Sequence, residues 1–534
     1  MRLSARLLSL GLLAQSVAAN DSLSRNSTYY NPVLPGWHSD PSCVQVDGTF
    51  YCVTSTFISF PGLPIYATNG QQEGMFAASI RHRRGVFYVI CEYLGVPGKN
   101  SGVLFTTTDP LDDDAWSNPV TFVAPKIDPD LFWDDDDGGK TYVATQGIQL
   151  QEFDTLGPHL YKHGAYYYLL IAEGGTALDH SITIARARNL TGPYTPHPRN
   201  PILTNRGSAE YFQTVGHGDL FRDARGSWWG MALATRSGPE YRSYPMGREA
   251  VLFPVTWEDG DDGDVWTVLQ PVRGKMEGWP LPEATRDVPG EGPFNGDPDV
   301  YDFGEGHGGG GIPRNLVHWR VPRQGAFSLT KKGLQVVLGR NRLDGLPGGT
   351  EEGAGAISFV GRRQTHSLFS FSVDLEFAPR AAGHEAGITA FLTQAANIQL
   401  GVVLVGKQLS FRYNASGVIK TSPVPDKWAG KPLRLKIDMT TPAEYTFAAM
   451  PAGEEKSRVV LGTASSELLS GGTGSFVGTL IGVYATCNGA GSGLDCPAGT
   501  PNAYVKRWRY MGEAQYVSAT DKIPVKKGNP TPGW

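Results

Sequence analysis

One short signature recurs five times in the first half of this chain and restricts the folds open to it. A glycine is followed by any residue, a strand-forming residue and a Tyr or Trp. The copies are Gly48-Thr49-Phe50-Tyr51, Gly85-Val86-Phe87-Tyr88, Gly139-Lys140-Thr141-Tyr142, Gly164-Ala165-Tyr166-Tyr167 and Gly226-Ser227-Trp228-Trp229. Each sits at a turn between two apolar runs, which is the pattern of a β-hairpin. Five copies of one hairpin predict an all-β chain folded as a five-bladed propeller, whose radial repetition leaves few exposed sheet edges.

Eight to twelve residues before each signature glycine, one position should open the strand nearest the propeller axis. Those positions read Asp40, Glu73, Asp128, Leu156 and His217. Inner strands crowd their first residues around a central funnel, so this set is expected to converge on one site. A pair of carboxyl groups facing one bond is what glycoside hydrolysis needs, one donating a proton and one activating water. Leu156 interrupts that pattern.

A length of 534 residues exceeds one core and predicts two domains. Repeats occupy residues 28–285, a Gly/Pro/Asp-rich connector runs over 286–313, and alternating strand-like runs over 314–515 predict an antiparallel β-sandwich. Residues 516–534 read as a poorly ordered tail. With 47 basic against 52 acidic residues and no basic cluster, nucleic acid and anionic membrane surfaces are poor partners. Monomeric and homo-oligomeric states are both compatible with the sequence.

Residues 1–19 carry Arg2 and Arg6, then an apolar run ending in Val17 and Ala19, as a cleaved secretory signal does. The cysteines agree with secretion. Cys43 and Cys52 stand symmetrically about the Asp47-Gly48 turn and so oppose each other in a narrow pair that a disulfide tolerates. Cys487 and Cys496 flank a glycine-rich loop and form a second expected bridge. Cys91 is left over, as a buried thiol. Sequons begin at Asn26, Asn189 and Asn414. Asp134 to Asp137 and Asp112 to Asp114 read as solvated turns rather than metal ligands, and Trp228 and Trp229 as core.

Several of these stretches resemble glycoside hydrolase family 43, over nearly the whole chain beyond the signal. NPVLPGWHSDPS (Asn31 to Ser42) is similar to the first-blade motif, which makes Asp40 the general base. IDPDLFWDDDDGG (Ile127 to Gly139) is similar to the second, which makes Asp128 the residue that orients the acid and modulates its pKa. GPHLYK (Gly157 to Lys162) is similar to the third. VGHGDL and YPMGREAVL supply His217 and Arg248, similar to an axial histidine and a substrate-contacting arginine. STFISFPGLPIY resembles an aromatic wall, with Phe57 the stacking residue. The resemblance implies a five-bladed propeller that hydrolyses β-xylosides or α-L-arabinofuranosides with inversion. It also implies a C-terminal concanavalin A-like sandwich that helps close the pocket, as in exo-acting β-xylosidases. The expected partner is a xylo-oligosaccharide or arabinoxylan. No cofactor is required, although the resemblance allows a structural calcium near His217.

The chain departs from the family at the general acid, a glutamate just before Gly-Pro-His, where Leu156 stands here. Spacing departs too. Only 25 residues separate Gly139 from Gly164, and 37 separate Gly48 from Gly85, whereas four strands and their turns need roughly 40. Two short internal losses, such as misplaced exon boundaries, account for both, and predict that the blades containing Gly85 and Gly164 lack strands or are distorted. The rival reading is a secreted sugar-binding paralogue that keeps the pocket without the acid. Of the nearby carboxylates, Glu173 reads as structural, and nothing in the sequence recruits Glu152 or Asp154.

Overall fold

The computed structural model describes residues 28–57, 59–60, 74–96, 99–124, 126–146, 156–259, 265–279, 298–304, 311–345 and 357–525. All five signature glycines lie at turns between paired antiparallel strands, and each hairpin starts its own sheet. The first blade pairs Ser39–Val46 with Thr49–Ser55. The second runs Gly74–Arg83, Val86–Val96, Lys99–Thr107 and Val120–Val123. The third pairs Asp130–Asp134 with Lys140–Ala144. The fourth holds Leu156–His163, Tyr166–Glu173, Ser181–Ala187 and Thr195–Pro196, and the fifth Phe212–Arg222, Trp228–Arg236, Glu249–Asp259 and Val265–Leu269.

The expectation that the Gly85 and Gly164 blades are incomplete is incorrect. Both are four-stranded, and among the described residues the two-stranded blades are those of Gly48 and Gly139. The chain passes from each inner strand outward, so a deficit ahead of the next inner strand falls on the outer strands of the blade before it. The circle closes where Tyr29–Tyr30 pairs with Lys275–Met276. There Tyr29, Cys43, Phe221, Trp229 and Met231 share one core between the first and fifth blades.

Beyond the propeller, a nine-stranded sheet and a six-stranded sheet supply the largest core, with Trp319, Phe359, Phe371, Phe391, Tyr445 and Trp508 fully buried. Alternating side chains of the two inner faces fill it, as in a sandwich. Two boundaries differ from the sequence reading. Within the expected connector, Asp299–Tyr301 pairs with Tyr510–Trp508 and belongs to the larger sheet. Within the expected tail, Lys522–Pro524 pairs with Tyr516–Ala514, so order extends through residue 525. Buried Asp299 sits beside Arg362 and accepts from Asn315, partners that composition does not reveal.

The two halves are joined by buried polar contacts. Arg236 is paired with Glu249 at 2.6 Å and also donates to Gln515 Oε1, Ser367 Oγ and the Tyr516 carbonyl. Ser59–Phe60, just after the first blade, pairs with His318–Trp319 of the second half. The Thr479 amide donates to the Pro245 carbonyl at 2.7 Å, which fixes the sandwich segment ahead of it against the propeller.

Candidate active site

Each inner strand carries a left-handed residue within it or just ahead of it: Asp40 (φ 51°), Ala77 (41°), Asp128 (58°), Gly157 (55°) and His217 (49°). In four blades the pairing register slips across that residue, between Ser39 and Ser42, Phe76 and Ser79, Leu156 and His159, and Gly216 and Asp219. Such a bulge re-aims a side chain that regular pleating would direct elsewhere. Holding Asp or His in this backbone region costs energy, as is common where function requires a particular direction.

These residues meet at one end of the axis. Ser55 Oγ donates to Asp40 Oδ2 at 2.5 Å and itself accepts from the Ala77 amide, which stitches the first blade to the second. His217 Nδ1 lies 3.6 Å and Arg248 Nη1 3.7 Å from Asp40 Oδ1. Burial pushes the Asp40 carboxyl up, but His217, Arg248 and the Ser55 hydroxyl outweigh it and hold it below the usual carboxylate range. Asp128 accepts from the Gly157 amide at 2.9 Å, and a Cβ at Gly157 would stand 3.1 Å from the His217 ring. Burial, with the charge of Asp40 adding to it, raises the Asp128 carboxyl despite His217 and the Gly157 amide. Two nearby carboxyls thus have affinities for protons displaced in opposite directions, the arrangement that separates an acid from a base.

The rim comes from both halves of the chain. Arg248 donates to the Thr176 carbonyl and lies 4.0 Å from the ring of Phe476, which the sandwich sends across the domain boundary. Phe57 stacks near Trp37 (5.8 Å) and Phe476 (6.3 Å) and is only 3% exposed. It is a buried member of the aromatic wall rather than an open platform. His180 Nδ1 donates to the Thr214 carbonyl at 3.0 Å; burial, then Arg248 and His217, lower it to about 3, so it is neutral in ordinary buffers.

Two residues further along the same strands lies a second layer: Ser42, Ser79, Asp130, His159 and Asp219, all buried. Arg81 reaches into it and pairs with Asp130 and Asp219, each at 2.7 Å. Ser42 and Tyr161 donate to Asp219, and His159 Nδ1 lies 2.9 Å from Asp130.

Asp40, Asp128, His217 and Arg248 therefore come together as the sequence reading expected. The second blade's ring position is Ala77; Glu73 lies outside the described residues, as do Glu152 and Asp154. Leu156 stands one step ahead of the left-handed position in its strand, its backbone pairing with Ala172. Among the described residues no group of three or more His, Cys, Asp or Glu is arranged to hold a metal. The expected disulfides Cys43–Cys52 and Cys487–Cys496 are present, and Cys91 is a buried thiol.

Asn414 lies in a paired strand and is 7% exposed, its side-chain oxygen accepting from the Gly417 amide. Asn189 is exposed after a strand, and Asn26 lies outside the described residues. The Asp134–Asp137 turn is pinned by Arg83, Lys162 and Tyr167, and Trp228 and Trp229 pack in cores. Sequence reasoning missed Ser55, Arg81, Glu92 and Phe476. A polar residue two places after each ring position was a readable signal for the second layer; nothing local marked Phe476.

Comparison with known proteins gives a consistent result. The profile described as Glycosyl hydrolases family 43 matches residues 154–261, and that described as Beta xylosidase C-terminal Concanavalin A-like domain matches residues 309–497. A non-reducing end alpha-L-arabinofuranosidase of Bacteroides ovatus is 31% identical over 528 residues, covering 88% of this chain and 93% of that protein. A xylosidase/arabinosidase of Butyrivibrio fibrisolvens is 30% identical, covering 87% and 97%. The crystal structure of a GH43 protein from Bacillus licheniformis superimposes with a TM-score of 0.74 at 27% identity, over 91% of this chain and 100% of that one.

Proposed function

The chain belongs to glycoside hydrolase family 43, and from that premise we propose a secreted, inverting glycosidase acting on β-xylosides or α-L-arabinofuranosides of xylan. Asp40 is the general base. Ionised at neutral pH and flanked by Arg248 and His217, it takes a proton from the water that attacks the anomeric carbon. Asp128 tunes the proton-donating side, while Arg248, His217 and Phe476 hold the sugar, with Phe57 packed against Phe476. The observation that carries this reading is the oppositely displaced Asp40 and Asp128 pair in one ring. Two disulfides fit an oxidising compartment and support secretion. Among the described residues no helix is long and apolar enough to cross a membrane.

Leu156, at the place of the family's acid, makes the leaving group decisive. An unassisted sugar alkoxide leaves poorly, and a positioned acid contributes about 10²–10⁴ in rate. Without another carboxyl group to supply that proton, protein of this sequence is expected to cleave an aryl xyloside bearing a good leaving group far faster than xylobiose. Asp40→Ala should abolish both. Persistence of aryl xyloside cleavage in Asp40→Ala would remove Asp40 from the mechanism. Leu156 also favours a second reading, a carbohydrate-binding protein; sugar binding with no cleavage of either substrate would select it.

A further inference from the structure

Glu92 is the carboxyl group for which the fold offers no structural employment. It lies in Val86–Val96 of the second blade, opposite Phe76 and Gly102 on its two neighbouring strands. Cross-strand neighbours share a face, so Glu92 stands on the side of the sheet that carries Phe76, whose ring meets Phe57 of the aromatic wall at 4.6 Å. Tyr88, four residues earlier on that face, touches Trp133 of the third blade at 5.1 Å. Glu92 thus faces the third blade at the level where Asp128 enters it. The residue is 0% exposed, and among the described residues neither carboxyl oxygen has a hydrogen-bond partner.

A buried glutamate that only served packing would be expected to find a donor, since an unpartnered buried acid destabilises the fold. Groups left in that condition concentrate at functional sites. Burial first, and the charge of Asp128 second, raise Glu92 to about 7, so it carries a proton through most of the neutral range. Like-charge repulsion from Asp128 is the influence that the family's mechanism requires on its proton donor, and here it falls on Glu92.

We propose that Glu92, working with Asp128, supplies the proton to the departing oxygen in this chain. The inference rests on the inverting glycosidase reading above. In the step, water oxygen bonds to the anomeric carbon as the glycosidic carbon–oxygen bond breaks. Asp40 takes a proton from that water, and the departing oxygen takes the proton of Glu92. Exchange with solvent then returns Asp40 to its carboxylate and Glu92 to its acid form. Because Glu92 is covered in the free chain, its side chain must turn past Asp128 into the ring when a sugar is bound.

The test is Glu92→Gln, a neutral replacement of nearly equal shape. Xylobiose turnover should fall about 10²-fold, while cleavage of a dinitrophenyl xyloside, which needs little protonation, should change less than about threefold on the same grounds. The loss of xylobiose activity above pH 7 in the unaltered protein should vanish from the residual activity of Glu92→Gln. Equal effects on both substrates, or none on either, would overturn the proposal, as would unaltered protein that cleaves xylobiose no faster than Glu92→Gln. Should Glu92→Gln not fold, the unaltered protein still decides: an alkaline limb near pH 7 for xylobiose but not for the dinitrophenyl xyloside supports Glu92, and its absence refutes it. Asp40→Ala separates the two levels. Dinitrophenyl xyloside cleavage that depends on Asp40 but shows no selective effect of Glu92 leaves the glycosidase reading standing and removes this one.

Discussion

Asp40, Asp128 and His217 stand two residues ahead of Ser42, Asp130 and Asp219 on the same inner strands, yet the two layers are built on opposite principles. In the lower layer every charge is answered: Arg81 bridges Asp130 and Asp219, and Ser42, Tyr161 and His159 complete their shells. In the upper ring, Asp40 has one short hydrogen bond and two basic side chains beyond 3.5 Å, and Asp128 has one backbone amide. The bulge between the layers lets one strand serve both purposes. Saturated ion pairs fix the blades about the axis, and the carboxyls above them keep lone pairs for a ligand.

That contrast can be broken from either side. The largest effect is expected on activity in the upper ring, where Asp40→Ala should cost about 10²–10⁴ in turnover of an aryl xyloside with little change in the urea unfolding midpoint. Arg81→Met should act the other way. It strands two buried carboxylates, and breaking a buried pair typically costs about 3–5 kcal/mol, read as a lower urea midpoint. The contrast fails if Asp40→Ala unfolds the protein, or if Arg81→Met leaves its stability intact.

A smaller effect concerns acid. Burial pushes the Asp219 carboxyl up, but Arg81, His159 and its hydrogen bonds hold it well below its ordinary value. A depressed folded-state value means that its contribution is fully present above the unfolded pKa of about 3.9 and is lost as pH falls below it. Stability of the unaltered protein should therefore decline below about pH 4, and the decline should be shallower in Arg81→Met, where Asp219 has lost its main cation. Equal acid slopes in the two proteins would remove Asp219 from the account.

Much of this was legible in the residues. Turn glycines followed by aromatics marked all five hairpins, because a hairpin needs particular turn chemistry at a particular place. Asp40, Asp128 and His217 were recognisable because each lies within a specific motif ahead of a hairpin glycine. Ala77 escaped recognition as the second blade's ring residue because a bulge depends on backbone register that alanine does not announce. The blades with two described strands were assigned one step too late because a count of residues between hairpins cannot tell on which blade a deficit falls. Phe476 and Glu92 were illegible for a different reason. Their significance arises from contacts across hundreds of residues in one case and between adjacent blades in the other.

The central claim is that Asp40 directs water onto the face of the sugar opposite the departing group. Proton NMR of the first product released from an aryl β-xyloside by protein of this sequence tests it most directly. The account predicts that α-xylose appears first and only later equilibrates with the β anomer. Initial release of β-xylose would show retention and contradict it.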